Sequence, residues 1–325
     1  MKGLMIMESR SDVIATIQAQ VIERAKTIKV VTLSTDEGSA LDNWIFGAKK
    51  LGYDYTILGR GEKWGGWSWR TKKYIDAVKL LPHNSIVLIV DGNDILFARG
   101  PASLYRAYKA AGSPPLLFGG EATCCVGKFS AQKLNGERNR AITTIDHRGP
   151  HNRWKFPNAG CIMGQRNAVL AALELVKDEP DDQAGHLERY LNDEKYLHID
   201  WDHRVVGNIN KPGTLYCVDT SVVEDKNTVE LQTYWERVST NELIEEAKKT
   251  NTDPAQYRDS VSSVLYRNKE TNGIPCILHF AGKNMQGYNV VGATLYGSSF
   301  RPVSADEPVS VGKSALLSVA GLWKH

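Results

Sequence analysis

The stretch Ser85-Ile86-Val87-Leu88-Ile89-Val90 constrains the fold more than any other. It is apolar without interruption after its serine and leads directly into Asp91-Gly92-Asn93-Asp94. An apolar run of this length suits a central strand covered on both faces, as in α/β folds. The flanking pattern agrees. Ser11-Asp12 opens a helix with Val13, Ile14, Ile17 and Val21 on one face. Lys29 to Ser34 reads as a buried strand, and Leu41, Trp44, Ile45 and Ala48 have helical spacing. Tyr53 to Leu58 follows Gly52 as a second strand. Strand, helix, strand in that order predicts a mostly parallel central sheet flanked by helices. Further on, Thr71 to Leu81 reads as a helix and Leu116 to Phe118 as a strand. Val169, Leu170, Leu173 and Val176 mark a helix, Asp181-Asp182-Gln183 opens the next, and Ile277-Leu278 is a strand ending at His279.

Composition excludes several classes. The chain has 325 residues, 42% hydrophobic and 24% charged, which is ordinary for a globular protein and argues against disorder. The 28 glycines and 12 prolines have no period, and no internal repeat is evident. A net charge of +3 does not announce a nucleic-acid binder. No apolar run approaches the roughly 18 residues that span a bilayer. The opening Met1-Lys2-Gly3-Leu4-Met5-Ile6-Met7 is too short for a signal peptide. A cytoplasmic location without a membrane partner is therefore expected. Five cysteines without a Cys-x-x-Cys read as reduced, mostly buried thiols.

The chemistry gathers at strand ends. In open α/β sheets ligands collect at the carboxyl ends of strands. Asp91 and Asp94 stand at such an end, and two carboxylates three residues apart can share Mg²⁺ or Mn²⁺. The same four residues also make a good turn. His279 can supply a third ligand, or it can be a hydrogen-bonded surface histidine. Gly282 permits close backbone approach to a phosphate, and Lys283 brings a positive charge. Trp64, Trp67 and Trp69, with Gly65 and Gly66, form either a stacking platform for a base or sugar or a plug that holds the loop down. Residues 121–155 read as a long functional loop. Its Lys128, Lys133, Arg138, Arg140, Arg148 and Arg153 suit a phosphate backbone or a solvated face of mixed charge.

In chain order these segments resemble the glycosyltransferase domain of the procollagen lysyl hydroxylase and hydroxylysine glycosyltransferase (PLOD) family. The resemblance runs from about residue 28 to 285. It rests on Val30-Val31-Thr32-Leu33-Ser34-Thr35, Leu58-Gly59-Arg60-Gly61-Glu62-Lys63-Trp64, Lys72, and Val90-Asp91-Gly92-Asn93-Asp94. It continues through Phe118-Gly119-Gly120-Glu121, Phe156-Pro157-Asn158-Ala159-Gly160, Asp181-Asp182-Gln183, Asp200 with Arg204 to Asn208, and Leu278-His279-Phe280-Ala281-Gly282. Ala281 stands where the family has asparagine, and the tryptophan loop lacks a Gly-Gly-Gly-Gln run.

The resemblance implies a GT-A type nucleotide-sugar fold and a hexosyltransferase that uses a UDP-sugar, glucose or galactose, with Mn²⁺ or Mg²⁺. It implies Asp91, Asp94 and His279 as metal ligands and Asp181 and Asp182 as catalytic residues. Thr32, Thr35, Trp64, Lys72, Asn158, Gly282 and Lys283 would meet the donor. The acceptor by analogy is a hydroxylysine-type protein hydroxyl. A hydroxymethylated DNA base is an alternative, as is a UDP-sugar hydrolase or an inactive nucleotide-sugar binding module. The expected organisation is a helical extension over 1–27, the glycosyltransferase domain over 28–300 and a tail over 301–325.

Overall fold

The structure, a computed structural model, describes residues 10–122, 153–209, 215–219, 264–268, 270–281 and 285–303. Helix α1 (Arg10–Ala25) precedes β1 (Ile28–Leu33), α2 (Ser39–Lys50), β2 (Tyr55–Leu58), α3 (Trp67–Lys79) and β3 (Ile86–Val90). Next come β4 (Ile95–Phe97), α4 (Pro101–Ala110), β5 (Leu116–Glu121), β6 (Phe156–Gln165), α5 (Arg166–Val176) and α6 (Asp182–Asn192). The remaining described elements are β7 (His198–Asp200), β8 (Val206–Asn208), β9 (Leu215–Asp219), β10 (Val264–Asn268), β11 (Ile277–His279) and α7 (Met285–Tyr296).

Six strands form the central sheet in the order β2-β1-β3-β6-β5-β7. Every pairing in it is parallel except the two made by β6. β3 lies between β1 and β6, and Val87 to Val90 are shut off from water, as an unbroken apolar run requires. Alternation then sorts the side chains. Val31, Leu33, Val87 and Ile89 join Tyr74, Ile75 and Val78 of α3 with Val169 and Leu173 of α5. Ile28, Val30, Leu88 and Val90 join Trp44 of α2 and Leu104 of α4 on the opposite face. Trp44 is fully buried and meets Phe97 and Tyr55 edge-on at 5.0 and 5.3 Å.

A second sheet, β4-β11-β8, lies beside that second face and positions the site. β11 runs antiparallel to β4 and parallel to β8. Helix α7 covers it through Tyr288, Leu295 and Tyr296, packed with Leu96, Leu278 and Phe280. Helix α7 carries no clear helical period in its sequence, because Gly287 and Gly292 dilute its apolar pattern. Gly292 is required there: a Cβ would lie 2.0 Å from the Phe300 ring. Arg301 to Val303 are held by two side-chain amides. Asn43 bonds the amide and carbonyl of Arg301, and Asn289 does the same for Val303. Residues 304–325 lie outside the described residues.

Two elements differ from the sequence reading. Helix α3 begins at Trp67, four residues before Thr71, so Trp67 and Trp69 belong to its first turn. Strand β5 continues through Gly119 and Gly120 to Glu121, where side chains too small to signal a strand allow close packing. A Cβ at Gly120 would lie 2.8 Å from the Trp154 carbonyl oxygen. Cys161 and Cys276 are buried and not in a disulfide, as expected of structural thiols. Among the described residues no helix is long and apolar enough to cross a membrane. Of the basic loop residues, only Arg153 is described, and it pairs with Glu270 at 2.8 Å.

Candidate active site

Three strand ends converge on one point. β3 ends at Val90, so Asp91 is the first residue beyond it, and Asp94 directly precedes β4. The antiparallel β11–β4 pairing sets His279 opposite Ile95, and the parallel β11–β8 pairing sets it opposite Asn208. The side chains of Asp91, Asp94 and His279 each offer a ligand atom within 4.8 Å of the others. His279 Nε2 is 3.4 Å from Asp94 Oδ2 and 3.6 Å from Asp91 Oδ2.

The second ring nitrogen fixes the orientation. His279 Nδ1 is 2.7 Å from Asn208 Oδ1, and Asn208 Nδ2 donates to the Gly120 carbonyl at 2.6 Å. The amide nitrogen being committed to a carbonyl, the amide oxygen accepts from Nδ1. Nε2 is thereby aimed at the carboxylates. Burial opposes the charged imidazole, but Asp94 and then Asp91 outweigh it and push His279 up to about 9. Asp94 is held down by His279 against desolvation, whereas desolvation and the charge of Asp94 push Asp91 up.

The donor set fits a divalent cation. Asp94 Oδ1 is buried without a hydrogen-bond partner, which is costly for a carboxylate oxygen unless a ligand completes it. Two carboxylates and an imidazole suit Mn²⁺ or Mg²⁺. The floor of the cluster is Gly160, where a Cβ would sit 2.4 Å from His279 Cε1 and 2.6 Å from Asp91 Oδ2. The missing side chain is what leaves room between the ligands.

A buried arginine extends the site. Arg70 of α3 donates from Nη1 to Asp91 Oδ1 at 3.0 Å and from Nη2 to Asp182 Oδ2 at 2.7 Å. Asp182 is the first residue of α6, where the positive end of the helix dipole favours a carboxylate. Its Oδ1 accepts from the Gln183 amide at 3.0 Å, and Thr71 Oγ1 lies 3.4 Å from Oδ2. Asp181 is the N-cap, its side chain accepting from Ala184 N at 3.1 Å. Of the two acidic residues, then, Asp182 is linked through Arg70 to the carboxylate–histidine cluster and Asp181 closes the helix.

The other residues expected to meet a donor are differently placed. Trp64 is 43% exposed and braced edge-on by Trp67 and Trp69 at 5.1 and 5.8 Å. Thr35 is half-buried in the loop after β1. Thr32 is fully buried, and its hydroxyl donates to the Val90 carbonyl at 2.7 Å, so it presents no surface to a ligand. Lys72 pairs with Asp178 at the surface at 2.9 Å; the cation beside the carboxylates is Arg70. Asn158 is buried, donating to Glu121 and accepting from the Gly160 amide, and so fixes the strand under the cluster. Gly282 and Lys283 lie outside the described residues.

Sequence reasoning missed Arg70, Asn208 and Gly160. Arg70 had a signal: it shares the inward stripe of α3 with Tyr74 and Val78, at intervals of four. A charged residue on such a stripe must find a buried partner. Asn208 and Gly160 had no such signal, because their partners come from distant strands.

The mixed α/β fold, with its mostly parallel sheet and a carboxylate–histidine cluster at the strand ends, is compatible with a GT-A type glycosyltransferase domain. The family model described as the PLOD GT domain matches residues 24–240, and the chain belongs to that family. It is similar to a Caenorhabditis elegans protein named multifunctional procollagen lysine hydroxylase and glycosyltransferase, 26% identical over 234 residues. That stretch is 65% of this chain and 29% of the relative. A Drosophila melanogaster procollagen-lysine,2-oxoglutarate 5-dioxygenase is 23% identical over 197 residues, 56% of this chain and 26% of the relative. The chain thus aligns with less than a third of the length of either relative.

Proposed function

We propose that the chain transfers a hexose, glucose or galactose, from a UDP-sugar to an acceptor hydroxyl in a reaction that needs Mn²⁺ or Mg²⁺. The observation that carries this reading is the convergence of Asp91, Asp94 and His279, with Asp94 Oδ1 left unpartnered. A cation held by these three residues supplies Lewis-acid neutralisation of the leaving diphosphate. The protein's own residues do the rest. Asn208 and Gly160 keep His279 and Asp91 in one orientation. Trp64 offers an exposed indole face on which the uracil stacks, remote binding that positions the sugar. Thr35, near the same strand ends, contacts the nucleoside. Asp182 is buried and anchored by Arg70 and the α6 N-terminus, and we assign it the place beside the transferred sugar and acceptor, which it reaches once donor binding opens that side of the cluster.

The names of the relatives favour a hydroxylysine-type acceptor. The assay is UDP release from a panel of UDP-sugars with and without Mn²⁺, followed by an acceptor screen of hydroxylysine peptide against hydroxymethylated DNA. Metal-dependent release from one donor, lost in Asp94→Ala, is expected. Release that continues in Asp94→Ala or in chelator would overturn the metal assignment. Release that no acceptor accelerates would leave a UDP-sugar hydrolase.

A further inference from the structure

Asp91 serves two cationic neighbours at once. Its Oδ1 accepts from Arg70 at 3.0 Å, and its Oδ2 faces His279 at 3.6 Å within the ligand cluster. Arg70 is only 7% exposed, and its guanidinium lies 4.4 Å over the Trp67 ring and 5.8 Å from the Tyr74 ring. Its Nε is buried without a partner. Its other branch holds Asp182, itself buried, at 2.7 Å. A planar, permanently charged fork is suited to fixing two carboxylates relative to one another. A buried ion pair of this kind is weak evidence for stability, and fixing the arrangement of its partners is the role that the fork geometry suits.

We propose that Arg70 is a positioning residue that acts as a fixed internal counter-ion, holding Asp91 and Asp182 in one arrangement while opposing a divalent cation bound at Asp91. The inference rests on the metal-dependent reading of the site. Its two halves follow from the geometry. A guanidinium hydrogen-bonded to one oxygen of Asp91 withdraws charge from the other oxygen and repels a cation placed there. The same guanidinium sets the separation between the metal cluster and the carboxylate expected to face the sugar. The protein accordingly accepts a weaker hold on its cation in order to keep Asp182 in place.

The test uses the full chain and Mn²⁺ alone, with free Mn²⁺ read by electron paramagnetic resonance. Arg70→Met keeps the length and loses the charge, and it should bind Mn²⁺ at least about threefold more tightly than the unmodified chain. Arg70→Lys keeps the charge but not the fork, and its Mn²⁺ affinity should stay within about twofold. With donor present, kcat for UDP release should fall in both, by about 100-fold in Arg70→Met and less in Arg70→Lys, with little change in donor KM. If Arg70→Met does not fold, Arg70→Gln is neutral and should move Mn²⁺ affinity in the same direction.

A purely structural Arg70 would lower thermal stability and leave Mn²⁺ affinity unchanged or weaker, and either of those affinities in a folded neutral variant overturns the inference. An unmodified chain that binds no Mn²⁺ overturns the metal reading beneath it as well. The two failures are distinguished by the unmodified chain alone.

Discussion

Among the described residues three histidines are buried almost completely, yet they occupy two kinds of surroundings. His279 sits between two carboxylates. His186 lies edge-on to Phe118 with Nδ1 at the Tyr196 hydroxyl, 2.8 Å away. His203 lies against Trp154, with its nitrogens 3.0 Å from the Gly120 carbonyl and 2.8 Å from the Asn268 amide. Burial pushes His186 and His203 down to about 4, whereas His279 is pushed up to about 9. Burial by itself therefore makes a neutral structural histidine. Opposite charge at 3.4 to 3.6 Å makes one that keeps its proton, which must leave before the ring can hold a metal.

The largest test of that difference is Gly160→Ala. The new Cβ would meet the His279 ring and the Asp91 carboxylate at 2.4 and 2.6 Å, so the ligands must separate. Mn²⁺ binding should fall by about 100-fold, as the upper end of the roughly 1–3 kcal/mol strain of overpacking gives when it is relieved within the cluster. Titration calorimetry with Mn²⁺ reads it. Affinity within tenfold of the unmodified chain would mean that the cluster is not the cation site. The surroundings of His186 and His203 should not change, as a check on the fold by nuclear magnetic resonance of the imidazoles.

A matched pair sharpens the comparison, because each kind of histidine is oriented by an asparagine. Asn208→Ala removes the acceptor for His279 Nδ1 and should cost about 10- to 100-fold in Mn²⁺ affinity. Asn268→Ala removes the amide beside His203 and the acceptor of the Glu270 and Thr271 amides. It should cost about 1–3 kcal/mol of stability and leave Mn²⁺ affinity alone. Chemical denaturation and metal titration of both variants give four numbers. A loss of metal affinity in Asn268→Ala equal to that in Asn208→Ala would erase the distinction between functional and structural orientation.

The same contrast explains what could be read from the sequence. Asp91 follows, Asp94 precedes and His279 ends an apolar strand, and the apolar runs of β3, β4 and β11 mark those positions in the sequence. The central sheet was legible for the same reason: β3 is apolar on both faces, and β1 carries the same alternation. Arg70 lies outside the expected helix, which starts at Thr71, and the resemblance gives the cationic role to Lys72, whose side chain is exposed. Asn208 meets His279 across 71 residues through the pairing of β8 with β11, a register that one sequence does not contain. Thr32 is expected to meet the donor only because it lies in the segment that resembles the family's first strand. In the structure it alternates with its neighbours, and its hydroxyl bonds the next strand.

The smallest effect belongs to the two histidines without carboxylates. Their folded-state values near 4 lie below the ordinary 6.5, so between those limits the unfolded chain binds protons that the folded chain refuses. Stability from this source is complete above pH 6.5 and is lost as pH falls toward 4. Each histidine contributes at most about 1.4 kcal/mol per pH unit, or about 2 kcal/mol between pH 7 and pH 5. His186 is the cleaner probe, because its Nε2 already lacks a partner and only the Tyr196 contact is lost on substitution. His186→Phe should flatten the dependence of denaturation free energy on pH by about half of the two-histidine contribution. A slope unchanged by His186→Phe would mean that its imidazole charges inside the fold, and the line drawn between His279 and the other buried histidines would then have to rest on geometry without burial.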